Sequence, residues 1–255
     1  MMKDNQTLYM VRLRLDTRGL YELARRRKVS SYDMDTGYAV HCYLQELFGT
    51  SAPAPFAITP FAKGVNAGKF LTVVGYTCAD KESLQNYAQT FSDPAVYEGC
   101  DWSLFASKPL PAKWPSGARF AFEVRACPIV RKSKEGPFYK KGAEVDAFLS
   151  RCWEVGDSDA PISREEVYRE WLTSQMDRIG GASVKSATLC AFGREHLLRR
   201  DHLTKRKSHR IEKPSATFKG VLEVTEPARF AGLMQRGIGR HRAFGFGMIL
   251  LRNEG

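Results

Sequence analysis

The chain has 255 residues, enough for one large or two small domains, and its 43 % of hydrophobic residues supports a packed core and excludes wholesale disorder. It carries 39 Lys and Arg against 28 Asp and Glu, a net charge of +11. No run approaches the roughly 20 apolar residues that span a bilayer, and the polar, alternating start "MMKDNQTLYMVRLRLD" does not fit a signal peptide, so a cytoplasmic protein without a membrane partner is expected.

Residues 8–15, "LYMVRLRL", alternate apolar and basic positions and predict a half-buried strand. The polar stretch after it predicts a short helix and a loop. "YAVHCYLQELFG" predicts a helix over Tyr38–Phe48, stopped by Gly49. "APAPFAITPFA" is extended, and "GKFLTVVGYT" is a strand. Asp80 caps a helix, "KESLQNYAQTF", whose Leu84, Tyr87, Ala88 and Phe91 share a face. "WSLFASKPL" closes this half as a strand.

"PLPAKWPSG", 109–117, reads as a linker. "ARFAFEVRACPIVRK" then predicts one long strand, followed by a basic loop, "SKEGPFYKKGAE". Ser163 opens a helix ended by Gly180, and with Glu166 it fits a capping box. "SATLCAFGREHLL" and "SATFKGVLEV" predict two strands joined by a basic segment, 199–213. Thr225 is the expected cap of "EPARFAGLMQRG", and "AFGFGMILLR" the last strand. Each half thus reads β-α-β-β-α-β. The expected fold is α+β, two tandem ferredoxin-like (RRM-like) domains over 1–108 and 118–255, with a C-terminal glycine-rich loop.

The charge is unevenly spread. Residues 1–108 hold 12 basic and 11 acidic residues, and residues 109–255 hold 27 and 17. Such a skew suits a polyanionic partner on the second half. The six cysteines show no C-x-x-C pair and no zinc spacing, so neither metal nor cofactor is expected.

Three stretches carry candidate chemistry. In "GIGRHRAFGFG", Gly237, Gly239, Gly245 and Gly247 bracket Arg240, His241 and Arg242. Their spacing fits neither the P-loop nor the dinucleotide fingerprint. The glycines serve either as a helix cap and strand bulge or as a turn whose N–H groups and arginines hold phosphate. The segment 193–213 holds Arg194, Arg199, Arg200, Lys205, Arg206, Lys207 and Arg210. It is either an exposed polar loop or a hairpin that meets RNA phosphates. In "YAVH", Tyr38 and His41 share a helix face. A histidine so placed is either structural or a proton carrier for RNA scission, which needs a base, an acid and positive charge but no metal. Arg25, Arg26 and Arg27 form a further basic run that is either solvated or in touch with RNA.

In this order, "YAVHCYL", "FEVRACPIVRK" and "GIGRHRAFGFGMILL" resemble the CRISPR-associated endoribonucleases that cut precursor CRISPR RNA, especially the CasE (Cse-type) branch. The resemblance implies metal-independent cleavage within a repeat stem-loop, leaving a 2′,3′-cyclic phosphate and a 5′-hydroxyl. It also implies retention of the product in an interference complex with other subunits. His41 matches the general acid/base, Tyr38 its partner, and Arg125 lies in the strand motif. The 194–213 segment matches the hairpin that engages the stem. Arg240 and Arg242 would clamp the phosphate. In relatives with altered active sites, including those of type IV systems, Arg240, His241, Arg242 and the arginines at 25–27 would carry the electrostatic work. A non-catalytic RNA-binding subunit of a CRISPR ribonucleoprotein is the alternative. The chain exceeds the usual CasE length in 16–37 and around 131–162.

Overall fold

A computed structural model describes residues 7–27, 35–59, 68–156, 161–200 and 208–253. β1 (Tyr9–Asp16) turns Val11, Leu13 and Leu15 into a core, as its alternation demands. Asp16 caps α1 (Thr17–Arg26) and Asp35 caps α2 (Thr36–Phe48), accepting from the Tyr38 N–H at 2.9 Å. β2 (Phe56–Thr59) and β3 (Phe70–Thr77) follow. Asp80 caps α3 (Lys81–Phe91) as expected, and a short α4 (Pro94–Glu98) leads to β4 (Ala106–Pro109). The predicted strand over 102–110 begins instead with a 3-10 turn, Trp102–Leu104. The sheet is antiparallel, in the order β2-β3-β1-β4.

The second half repeats this plan with an addition. β5 (Arg119–Ala126) does not continue to 132. It breaks at Cys127–Pro128, where proline offers no N–H, and β6 (Ile129–Arg131) pairs instead with β7 (Glu144–Asp146). α5 (Ala147–Val155), absent from the predicted elements, completes this insertion. α6 (Arg164–Ile179) buries Val167, Trp171, Leu172 and Met176, and the Ser163 hydroxyl accepts from the Glu166 N–H at 3.3 Å.

β8 (Ala182–Arg200) and β9 (Ser208–Val224) run far longer than expected. The charged segment read as a loop is mostly strand, paired out to Arg200↔Ser208. Two features convert it: the cross-strand Arg194–Glu212 ion pair at 2.7 Å, and Leu197, buried opposite Ile211.

α7 (Pro227–Arg236) starts after Glu226 rather than Thr225: the Glu226 carbonyl accepts from the Arg229 and Phe230 N–H groups at 2.9 and 3.0 Å, and no side chain caps the helix. β10 (Ile249–Asn253) starts after Gly245 and Gly247 rather than containing them; their φ of 79° and 86° is incompatible with a strand. The sheet order is β10-β5-β9-β8, the same arrangement as in the first half. Both are ferredoxin-like domains. Among the described residues no helix is long and apolar enough to cross a membrane.

The halves are fused through a shared core. Leu8, Val74 and Tyr76 of the first half pack with Val124, Met248 and Ile249 of the second, and the Tyr76 hydroxyl donates to the Ile249 carbonyl at 2.7 Å.

Candidate active site

Interdomain packing brings the start of α2 against the loop that links α7 to β10. Gly37 makes the close approach possible. A Cβ there would fall on the Phe244 carbonyl, 2.6 Å from its carbon, so any larger residue would pry helix and loop apart. Tyr38 stacks on Phe244, with ring centroids 5.6 Å apart and an interplanar angle of 25°. His41 lies one turn along, its ring 6.2 Å from that of Tyr38.

The loop is bolted to its own domain. The Ile238 N–H donates to the Gly247 carbonyl at 2.8 Å, and the Gly247 N–H to the Arg125 carbonyl at 2.7 Å. A Cβ on Gly237 would stand 2.6 Å from the Gly247 oxygen. These glycines therefore admit the loop's own backbone to itself. Between them His241 occupies the left-handed region, φ 61° and ψ 31°, which is uncommon for a residue with a Cβ and concentrates at functional sites.

Glu144 of β7 explains that conformation. Its Oε2 lies 3.0 Å from His241 Nε2, its Oε1 is 2.7 Å from Arg240 Nε, and Lys213 Nζ stands 3.4 Å from Oε2. The His241 hydrogen bond, backed by the charges of Lys213 and Arg240, holds the Glu144 carboxyl down at about 2 against the opposing effect of burial.

His41, Glu144, Arg236, Arg240, His241 and Arg242 border one cavity of about 800 Å³. Burial lowers the His41 pKa, so its imidazole is neutral at pH 7 and can accept a proton. Arg242 Nη1 donates to the Arg236 carbonyl at 2.5 Å. Desolvation, and then the neighbouring Arg236 charge, lower the Arg242 pKa, yet a guanidinium stays charged. Two arginines that border one cavity, one of them feeling the other's charge, can take an anion such as phosphate.

The other predicted residues sit elsewhere. Arg125 lies over the Phe246 ring at 4.2 Å, bonds Ser215 Oγ at 3.1 Å and pairs with Glu195; it braces the loop from beneath. Arg25 and Arg26 end α1, and Arg27 caps it. Arg26 pairs with Asp93 at 3.4 Å, and Arg27 pairs with Glu46, both within the first domain. Arg194, Arg199, Arg200 and Arg210 lie along the β8–β9 hairpin, and Lys205, Arg206 and Lys207 lie outside the described residues. Sequence reasoning passed over Glu144, Arg236 and Phe244. For Glu144 the signal was an acid at the end of a lysine-rich loop.

Known proteins bear on this arrangement. No curated protein matches the chain. By fold it is similar to the CRISPR endoribonuclease Cse3 bound to a 19-nucleotide RNA, with a TM-score of 0.61 and 18 % identity over 96 % of this chain and 99 % of that one. It is also similar to Cas6e from Escherichia coli K-12, with a TM-score of 0.50 and 17 % identity over the same shares. A chain of a CRISPR RNA-guided surveillance complex in a pre-nicking state matches with a TM-score of 0.51 and 15 % identity, again over 96 % and 99 %. The sequence model of the family described as CRISPR associated protein matches residues 8–253, and the chain belongs to that family.

Proposed function

We propose that the chain is a metal-independent endoribonuclease of the CasE branch that cuts precursor CRISPR RNA within its repeat stem-loop and keeps the product in an interference complex. One observation carries the reading. A neutral, half-buried histidine on α2, Arg236 at the end of α7 and Arg242 on the loop border a single cavity between the domains. Family membership and the fold shared with RNA-bound Cse3 support it.

His41 takes the proton of the 2′-hydroxyl. The 2′-oxygen attacks phosphorus, the bond from phosphorus to the 5′-oxygen breaks, and that oxygen leaves as a 5′-hydroxyl, taking its proton from water. The other fragment ends in a 2′,3′-cyclic phosphate. Tyr38, held by Phe244, orients the reacting groups. Arg242 and Arg236 offset the charge of the phosphorane. Arg240 and His241 are already engaged by Glu144 and shape the cavity wall. The β8–β9 hairpin, with Arg194 and Arg210, lies along the stem.

The test is incubation of the full chain with its repeat RNA in EDTA. A single cut with a 5′-hydroxyl and a cyclic phosphate is expected. Tight binding without a cut would overturn the enzymatic reading in favour of a non-catalytic RNA-binding subunit.

A further inference from the structure

The insertion between β5 and α6 carries a feature the proposed cleavage does not use. At the tip of the β6–β7 hairpin, "EGPFYKK", a tight turn is closed by the Gly136 N–H donating to the Tyr139 carbonyl at 2.9 Å. The turn lays the Tyr139 ring over Gly136, where a Cβ would meet it at 2.6 Å. Trp153 of α5 stacks with both tip aromatics, 5.2 Å from Phe138 at 28° and 5.7 Å from Tyr139 at 24°. Phe138 is 66 % exposed. With Phe138 and Tyr139 both stacked on Trp153 and Phe138 exposed, the cluster offers a platform for a further ring.

Charge decides which kind of ring. Residues 131–141 hold Arg131, Lys132, Lys134, Lys140 and Lys141 against Glu135 alone. Lys132 is committed to Glu154 at 2.9 Å and lies over the Tyr139 ring at 4.7 Å. Among the described residues, Arg131, Lys134, Lys140 and Lys141 form no ion pair. The other exposed aromatic pair, Tyr87 and Phe91 at 4.9 Å, lies in a segment, 81–98, with one basic and three acidic residues. Among the described residues, only the first patch combines open rings with uncommitted cations, and that combination is how sequence-tolerant sites hold single-stranded nucleic acid. The hairpin also leads back to the cavity. Arg131 pairs in register with Glu144, and Tyr139 is five residues from Glu144, at most about 18 Å along the chain.

We propose that Phe138, Tyr139 and Trp153, with Arg131, Lys134, Lys140 and Lys141, form a second RNA site that stacks unpaired bases of the strand flanking the repeat stem. The inference rests on the RNA-binding reading above. It adds a site whose ligand is single-stranded and whose contacts are faces rather than edges of bases.

The test compares the affinity of the full chain for the repeat stem-loop alone and for the same stem-loop extended by an unpaired oligouridine flank. The wild type is expected to bind the flanked RNA about fivefold or more tighter, the lower end of what one stacked base supplies. Phe138→Ala, at an exposed position that does not threaten folding, should abolish that gain, and Phe138→Tyr, which keeps a ring, should retain it. Equal wild-type affinity for the two RNAs, or a gain that survives Phe138→Ala, would overturn the second site and leave the patch to a protein partner. Failure of the wild type to bind either RNA would instead overturn the RNA reading as a whole.

Discussion

Glu144 Oε2 lies 3.0 Å from His241 Nε2 and fixes a residue that its own backbone conformation disfavours. A carboxylate from the inserted hairpin thus holds the tip of the glycine loop, with Arg240 on its other oxygen. The loop's shape depends on a contact made 97 residues away in sequence.

Glu144→Gln should therefore loosen the loop. Losing a charged acceptor with three partners is expected to cost about 1–3 kcal/mol in urea unfolding at pH 7. The folded carboxyl titrates near 2 against its ordinary 4.5, so its contribution is present above 4.5 and is lost as pH falls toward 2. The stability gap between wild type and variant should shrink over that interval. A gap constant from pH 7 to pH 3 would rule out the charge as its source.

His41→Ala is expected to slow single-turnover cleavage by about 10²–10⁴-fold with little change in RNA affinity. Because burial lowers the His41 pKa, the wild-type rate should fall with acidity only below the ordinary histidine value of 6.5. A rate unchanged in His41→Ala would move the proton transfer to another group.

Arg242→Ala should weaken RNA binding and reduce the slope of log Kd against log salt by about one, the signature of one lost phosphate contact. Filter binding across a salt series reads both. A slope equal to that of the wild type would place Arg242 away from phosphate.

Gly37→Ala separates the two sides of the cavity. Alanine favours a helix by up to about 1 kcal/mol over glycine, but here its methyl meets the Phe244 backbone, which cannot rotate away. Cleavage should fall more than affinity, because Tyr38 and His41 shift relative to Arg242 while the hairpin is untouched. Wild-type cleavage in this variant would show that the approach of helix to loop is dispensable.

The elements legible in the sequence are those whose determinants are local. Asp80 and the apolar spacing behind it fixed Lys81–Phe91, and the alternation of Val11, Leu13 and Leu15 fixed β1. The residue types of the candidate site were legible too: Tyr38 and His41 on one helix face, and arginines among glycines. What periodicity cannot carry is pairing. The charges of 199–213 hid a strand whose cross-strand ion pair becomes visible only with the register known. The apolar run after Arg242 hid two left-handed glycines. Glu144 was one acid among lysines until β7 paired with β6 and aimed it at the loop.

The bond from Tyr76 to Ile249, set in a core that both halves share, has a consequence for how the cavity meets its ligand. A hinge between the halves would have to tear that core open, so the walls keep their spacing in the empty protein. On the proposed reading, His41 and Arg242 are brought to their separation during folding, and no reorganisation of the two halves is left to the moment of encounter.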